Sequence, residues 1–218
     1  MNNNLQELIT ILIYSVPATI LTMTLHEFAH SYVSYRLGDN TPKTTGRLTL
    51  NPLKHIDPLG ALCLAIFHFG WAKPVQVNPQ AYKNPKKGMA LTALAGPLMN
   101  FLITFFAMFG MGIIAKMGNY SNSGIISNYL YILFYYIAIL STGLGIFNLI
   151  PFPPLDGSKV FGAILPEKIY FGYMKYERYG MLILFILLYS NLLDMPLNWL
   201  NETITNGMFS IVKIILRL

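Results

Sequence analysis

The sequence predicts an all-α multi-pass membrane protein, and three observations predict it. More than half of the 218 residues are apolar and only 11% are charged, against roughly a quarter in ordinary soluble domains. Four stretches, roughly Leu8–Tyr35, Gly88–Ala115, Ile125–Ile150 and Tyr179–Leu200, reach the length of about 20 apolar residues that a helix needs to cross a bilayer. Basic residues collect between them: 36–87 carries eight Lys or Arg against two Asp, 151–178 carries four against three acids, and 116–124 has one lysine. Lysine and arginine mark the cytoplasmic side, so the first two segments are expected in the cytoplasm and both termini outside.

Each element follows in order. The start, "MNNNLQEL", has no basic residue ahead of the first apolar run, so the pattern of a cleaved signal is missing and this segment is expected to remain in the mature protein. Leu59–Trp71 is apolar but too short to cross comfortably, and reads as re-entrant or interfacial. Around it, "TTGRLTL" alternates with the strand period and "KPVQVNPQ" is extended and bounded by prolines. Two short β-strands on the cytoplasmic side are therefore expected. Sheet edges are not tolerated in lipid, so these strands must be shielded by protein or line an aqueous cavity. Gly96-Pro97 inside the second span predicts a kink at a close helix contact, and Gly143 with Gly145 predicts close approach in the third. The end, "ITNGMFSIVKIILRL", lies along the interface or adds a partial span. Residues 1–218 read as one membrane-embedded domain, with a core over about 8–157 and further helices over 158–218.

Composition also excludes. The net charge is +6, but no basic-aromatic constellation for bases accompanies it, so a nucleic-acid partner is not expected. A single cysteine, Cys63, rules out an intrachain disulfide framework and a cysteine-based zinc cage.

The chemistry lies in "LHEFAH". His26 and His30 are four residues apart, so on a helix both can present ring nitrogens to one ion while Glu27 stands beside them. An ionisable group at the centre of a spanning helix costs about 2.5–3.5 kcal/mol on insertion scales and so calls for a function. The bland alternative is that the histidines are polar glue between helices. A catalytic zinc takes three protein ligands and leaves one position open. Asp156 is the candidate for the third, because in "FNLIPFPPLDG" prolines break the helix just before it, at the cytoplasmic end of the third span. A solvated turn acid is the alternative for it. Arg36 follows His26 by ten residues, about 15 Å along a helix, which puts both motifs toward the same side.

These residues make the chain resemble the site-2 protease family of intramembrane zinc metalloproteases, in the compact form without a PDZ domain. The resemblance rests on His26-Glu27-Phe28-Ala29-His30 as HExxH and on Asn148 through Gly157 as the NxxPxPxxDG type, with prolines at Pro151, Pro153 and Pro154. "GRLTLNPLKHIDPLG", "GWAKPVQVNP" and "AGPLMN" also resemble the family's segments, so the likeness runs from about Leu8 to Gly157. It implies that His26, His30 and Asp156 bind one Zn2+ ion, that Glu27 is the general base, and that Asn148 sits near the substrate. Asn100 is a weaker candidate for substrate contact, with a plain interhelical hydrogen bond as its alternative. His55 is another, with a surface or capping role as its alternative. His68 reads as a packed or interfacial histidine. The implied activity is hydrolysis of peptide bonds within or near transmembrane segments of membrane-protein substrates. The implied place is the plasma membrane, with the site facing the cytoplasm and the lipid bilayer around it.

Two rivals come from other classes. A metal-ion carrier would explain buried His, Asp and Glu, but not Glu27 in hydrolase spacing, and no ladder of polar residues crosses the other helices. A catalytically silent scaffold of the same fold would have no need of an intact His26, Glu27, His30 and Asp156.

Overall fold

A computed structural model describes residues 9, 11–57, 60, 72–117, 124–166, 169–170, 173, 177–190 and 192–218. Its regular structure is α-helical, as the apolar runs demand. Helix α1 (Val16–Arg36) follows a π-helical turn at Ile11–Ser15. A short α2 (Thr41–Thr44) leads into irregular chain with single 3₁₀ turns at Pro52–Lys54 and Pro79–Ala81. Then come α3 (Pro85–Lys116), α4 (Ile125–Asn148), α5 (Asp156–Gly162), α6 (Glu177–Tyr189) and α7 (Asp194–Leu216).

The ends of these helices are written locally. Helix α1 stops because Gly38 takes φ +107°; the Asp39 N–H then reaches the Ser34 carbonyl and the Gly38 N–H the Tyr35 carbonyl, both at 3.1 Å. This is the Schellman ending that a glycine permits without a Cβ clash. Helix α3 starts where the Asn84 side chain accepts the Lys87 N–H at 3.0 Å, with Pro85 filling a position whose N–H would go unpaired anyway. Helix α5 starts at Asp156, after the turns that follow Pro151. A carboxylate suits that position because the helix N-terminus carries positive partial charge.

Helices α3 and α4, of 32 and 24 residues, are long and apolar enough to cross a membrane. They match the second and third expected spans. The first, α1, has 21 residues, but His26, Glu27, His30 and Arg36 interrupt its apolar character. The fourth expected span, Tyr179–Leu200, is not one helix: α6 ends at Tyr189, turns occupy 190, 192 and 193, and α7 begins at Asp194. Pro196 accounts for the break, since proline fits the first turn of a new helix and disrupts the interior of a continuing one. The C-terminal stretch is helical to Leu216.

The expected β-strands do not form among the described residues. In 44–50, Gly46 turns the chain at φ +69°, and the N–H groups of Arg47 and Leu48 both go to the Pro42 carbonyl. The backbone is thus satisfied by a local turn, which leaves nothing for a ladder. Residues 73–78 are extended, with half-buried and exposed side chains alternating over 74–78, but they form no ladder. The nearest approach to a sheet is one isolated antiparallel bridge between Ile56 and Ala72. The expected re-entrant stretch Leu59–Trp71, with Cys63 and His68, lies outside the described residues except for Gly60.

The chain divides into two compact units. One comprises 1–22, 100–146 and 194–218. Its core is Ala18, Ala107, Ile137 and Ala138, with Ile103, Met108, Leu133 and Phe134 packed around them. Small side chains let α3 and α4 approach, and polar contacts fasten them: the Thr104 and Thr142 hydroxyls lie 3.0 Å apart, and Ser141 donates to the Asn100 carbonyl at 2.8 Å. Gly145 contributes to that approach, since a Cβ there would press on the Phe101 ring at 3.0 Å. Gly143 does not, for the space beside it is open. The other unit comprises 23–99 and 147–193 and holds the polar cluster described next.

Candidate metal centre

On α1 the helical repeat stacks His26 and His30 edge to face, with ring centroids 4.6 Å apart. Their Nε2 atoms lie 3.0 Å from each other. Asp156, carried in by the first turn of α5, completes the triangle, its Oδ2 lying 3.2 Å from His26 Nε2 and 3.1 Å from His30 Nε2. Both histidines are buried, and the Asp156 side chain is 13% exposed. Among the described residues these three form a cluster able to hold a metal ion.

The proton inventory fits a cation. His30 Nδ1 is 2.7 Å from the carbonyl oxygen of Thr92 on α3. A carbonyl can only accept, so Nδ1 carries the hydrogen, and in the neutral ring Nε2 is left as a lone pair. Lone pairs of His30 and Asp156 therefore aim at one point beside His26 Nε2. Ligands about 2.0–2.1 Å from a tetrahedral zinc stand about 3.3 Å apart, close to the edges found. Two imidazoles and one carboxylate are also the donor set that suits a catalytic zinc with a position left open.

Further residues shape the site. Gly96 on α3 is the wall: a Cβ there would overlap the imidazoles of both His26 and His30. The expected close helix contact at Gly96-Pro97 is thus a contact with the histidine rings. Gly157 lets the turn before α5 pass close, because a Cβ would strike the carbonyl of Leu149. Lys159 Nζ stands 4.0 Å from Asp156 Oδ1, on the side away from the histidines. Glu27 is half-buried, and its Oε2 accepts the backbone N–H of Val75 at 3.3 Å, so the extended segment 73–78 runs beside it.

Asn148 is half-buried as the last residue of α4. Asn100 is fully buried in the first unit, where its backbone carbonyl takes the hydroxyls of Ser141 on α4 and of Thr104 one turn on in α3. His55 is 1% exposed, so a surface role does not hold. It ends the 3₁₀ turn Pro52–Lys54, and its Nε2 lies 2.8 Å from the Thr49 carbonyl. Sequence reasoning missed Thr92 and Val75, which act through backbone atoms that leave no trace in residue type. It saw Gly96 but not its purpose, although a Gly-Pro pair within an apolar span is a visible signal.

Comparison with known proteins agrees with this geometry. Residues 16–190 match peptidase family M50. YwhC of Bacillus subtilis is 36% identical over 183 residues, covering 80% of this chain and 79% of that one. Rip2 of Mycolicibacterium smegmatis is 28% identical over 162 residues, 72% of this chain and 58% of that one. The zinc metalloprotease MJ0392 of Methanocaldococcus jannaschii is 28% identical over 155 residues, 71% of this chain and 34% of that one. The chain thus aligns with little more than half the length of the second relative and about a third of the third. No solved structure matches it. With an HExxH helix, an aspartate closing the triangle and a match over most of its length, the chain belongs to the zinc metalloproteases of peptidase family M50.

Proposed function

We propose that this membrane protein hydrolyses peptide bonds within or at the edge of transmembrane segments of other membrane proteins, from the cytoplasmic side of the plasma membrane. All 218 residues act as one membrane-embedded domain in this reading, with α1, α3, α4 and the helices after α5 crossing or lining the bilayer. The observation that carries it is the convergence of Asp156, from the start of α5, with His26 and His30 on the largely apolar α1.

His26, His30 and Asp156 hold a single zinc ion. When bound, zinc supplies Lewis acidity that polarises a carbonyl and brings the ionisation of water toward neutral pH. Glu27, adjacent to a ligand but free of that role, takes the proton of the attacking water and delivers it to the leaving amine as the C–N bond breaks. Asn148 offers its side-chain amide to the substrate backbone or to the oxygen on which charge develops. Lys159 holds the outer oxygen of Asp156, so that Oδ2 stays turned to the histidines. The extended segment 73–78 is suited to receive substrate: its side chains alternate as in a strand, it has no ladder partner among the described residues, and it runs past Glu27. An unwound stretch of a substrate helix can add to it as a neighbouring strand.

The test compares membrane-protein fragments in cells carrying the parent protein with those carrying Glu27→Gln. Fragments ending within transmembrane segments are expected with the parent only. Identical fragment sets in the two would overturn the proposal.

A further inference from the structure

Beyond the metal cluster, one set of buried polar groups has a direction that can be worked out atom by atom. Asp39 is 1% exposed and sits just past the Schellman ending of α1. Its Oδ1 takes the Thr41 N–H at 2.8 Å, and its Oδ2 takes the Asn78 N–H at 2.7 Å and the Ser34 hydroxyl at 2.8 Å. Ser34 Oγ also lies 2.8 Å from the Tyr82 hydroxyl, which lies 3.2 Å from Thr92 Oγ1. The carboxylate only accepts, so it claims the one proton of Ser34. Tyr82 must then donate to Ser34, and Thr92 must donate to Tyr82. The chain runs one way, from Thr92 to Asp39, and every side chain in it is buried. It starts at the residue whose carbonyl holds His30 Nδ1.

We propose that Asp39 anchors a buried hydrogen-bonded relay through Ser34, Tyr82 and Thr92 that positions His30 for its metal, with Tyr82 and Thr92 as positioning residues. The proposal rests on the assignment of His30 as a metal ligand. Fixing the turn of α3 that carries the Thr92 carbonyl fixes both the tautomer and the tilt of the His30 ring, and outer partners of this kind typically raise metal affinity about 10- to 100-fold. The fold makes room for the relay. Tyr82 follows the 3₁₀ turn Pro79–Ala81, and a Cβ at Gly88 would overlap its ring. A second arm leaves Asp39 through Asn78, at the end of the extended segment whose Val75 N–H meets Glu27. The same carboxylate thereby steadies the chain on both sides of the cluster.

The experiment uses the full chain, purified in detergent and stripped of metal, titrated with Co2+ and, by competition, with Zn2+. Tyr82→Phe removes one hydroxyl and keeps the ring. It is expected to weaken Co2+ binding by about 10-fold and to change the visible spectrum of the Co2+ form. Thr92→Val is expected to do the same, and Thr92→Ser, which keeps the hydroxyl, to restore parental affinity. Parental Co2+ affinity in both Tyr82→Phe and Thr92→Val would overturn the relay. If Tyr82→Phe fails to fold, the Thr92 pair decides; loss of folding in Thr92→Val as well would make the network purely structural and would also overturn the proposal. His30→Ala is the control for the underlying assignment. Undiminished binding there removes His30 as a ligand, whereas lost binding there with intact binding in the relay variants removes the relay alone.

Discussion

The backbone N–H of Val75 points at the carboxylate of Glu27, 3.3 Å from Oε2. A peptide hydrogen in this position holds one oxygen of Glu27 toward the extended segment and leaves the other for the proposed proton transfer. Replacing the carboxylate by an amide keeps shape and removes basicity. Glu27→Gln is therefore expected to bind zinc as the parent does and to lose about 100- to 10,000-fold in cleavage rate, the usual contribution of a general base. Paired zinc analysis and cleavage of a reconstituted membrane substrate measure this, and strong cleavage by Glu27→Gln would end the assignment.

Asp156→Ala leaves two imidazoles without their carboxylate. Most of the zinc and all of the cleavage should be lost. Asp57→Ala is the matched control: Asp57 Oδ1 accepts the Gly60 N–H at 3.0 Å and stands outside the cluster, so zinc content should hold. Full zinc and full activity in Asp156→Ala would send the search for a third ligand elsewhere.

Gly96 and Gly143 are both helical glycines, yet they predict opposite outcomes. A methyl group at Gly96 meets two ligand rings, so Gly96→Ala should displace them, cost about 1–3 kcal/mol as overpacking does, and lower zinc affinity. At Gly143 the space is open, and alanine should be neutral or should stabilise by about 0.5–1 kcal/mol through helix propensity. Thermal unfolding of both variants, with zinc content alongside, checks the contrast; a harmless Gly96→Ala would refute the tight wall.

Asp39 makes stability depend on acidity. Burial works against its ionisation, but donors from Thr41, Asn78 and Ser34 outweigh this and hold its carboxyl below the ordinary carboxylate range. A lowered folded pKa gives stability that is complete above the unfolded value of about 3.9 and is lost as pH falls through the folded value. Asp39→Asn should accordingly be less stable than the parent by about 1–3 kcal/mol near pH 7, with the gap closing below about pH 4. A gap constant from pH 7 to pH 3 would contradict this.

Orientation can be read at the two ends of α3. In a Cys63→Ser background, Lys87→Cys should react with an impermeant thiol reagent from the cytoplasmic side and Met117→Cys from the outer side. Both positions are exposed. Reaction of both from one side would refute the charge-based topology.

The metal cluster was legible because its signals are discrete: a four-residue histidine spacing, and an acid placed just after helix-breaking prolines. Helices α3 and α4 were legible from length and apolarity alone. The strands were not, because alternation over 44–50 says nothing of Pro42, whose carbonyl captures two of the N–H groups that a ladder would need. The break at 190–193 was hidden because a sum over apolar residues ignores one proline at 196. Tyr82 and Asp39 left no signal in the sequence, since a hydrogen-bonded chain assembled from 34, 39, 82 and 92 has no period to detect.

The length of α3 sets a relation with the lipid. Its uncharged run from Gly88 to Ala115 corresponds to about 42 Å of helix at 1.5 Å per residue, while a typical hydrocarbon core is about 30 Å thick. A spanning helix with such a run takes up the excess by tilt, by bending at Pro97, by local thickening of the bilayer or by reaching into the headgroup layers. The same helix carries both Thr92 and Gly96 at the histidines. With α3 crossing as proposed, acyl-chain length is expected to alter zinc affinity, which bilayers of graded thickness would show.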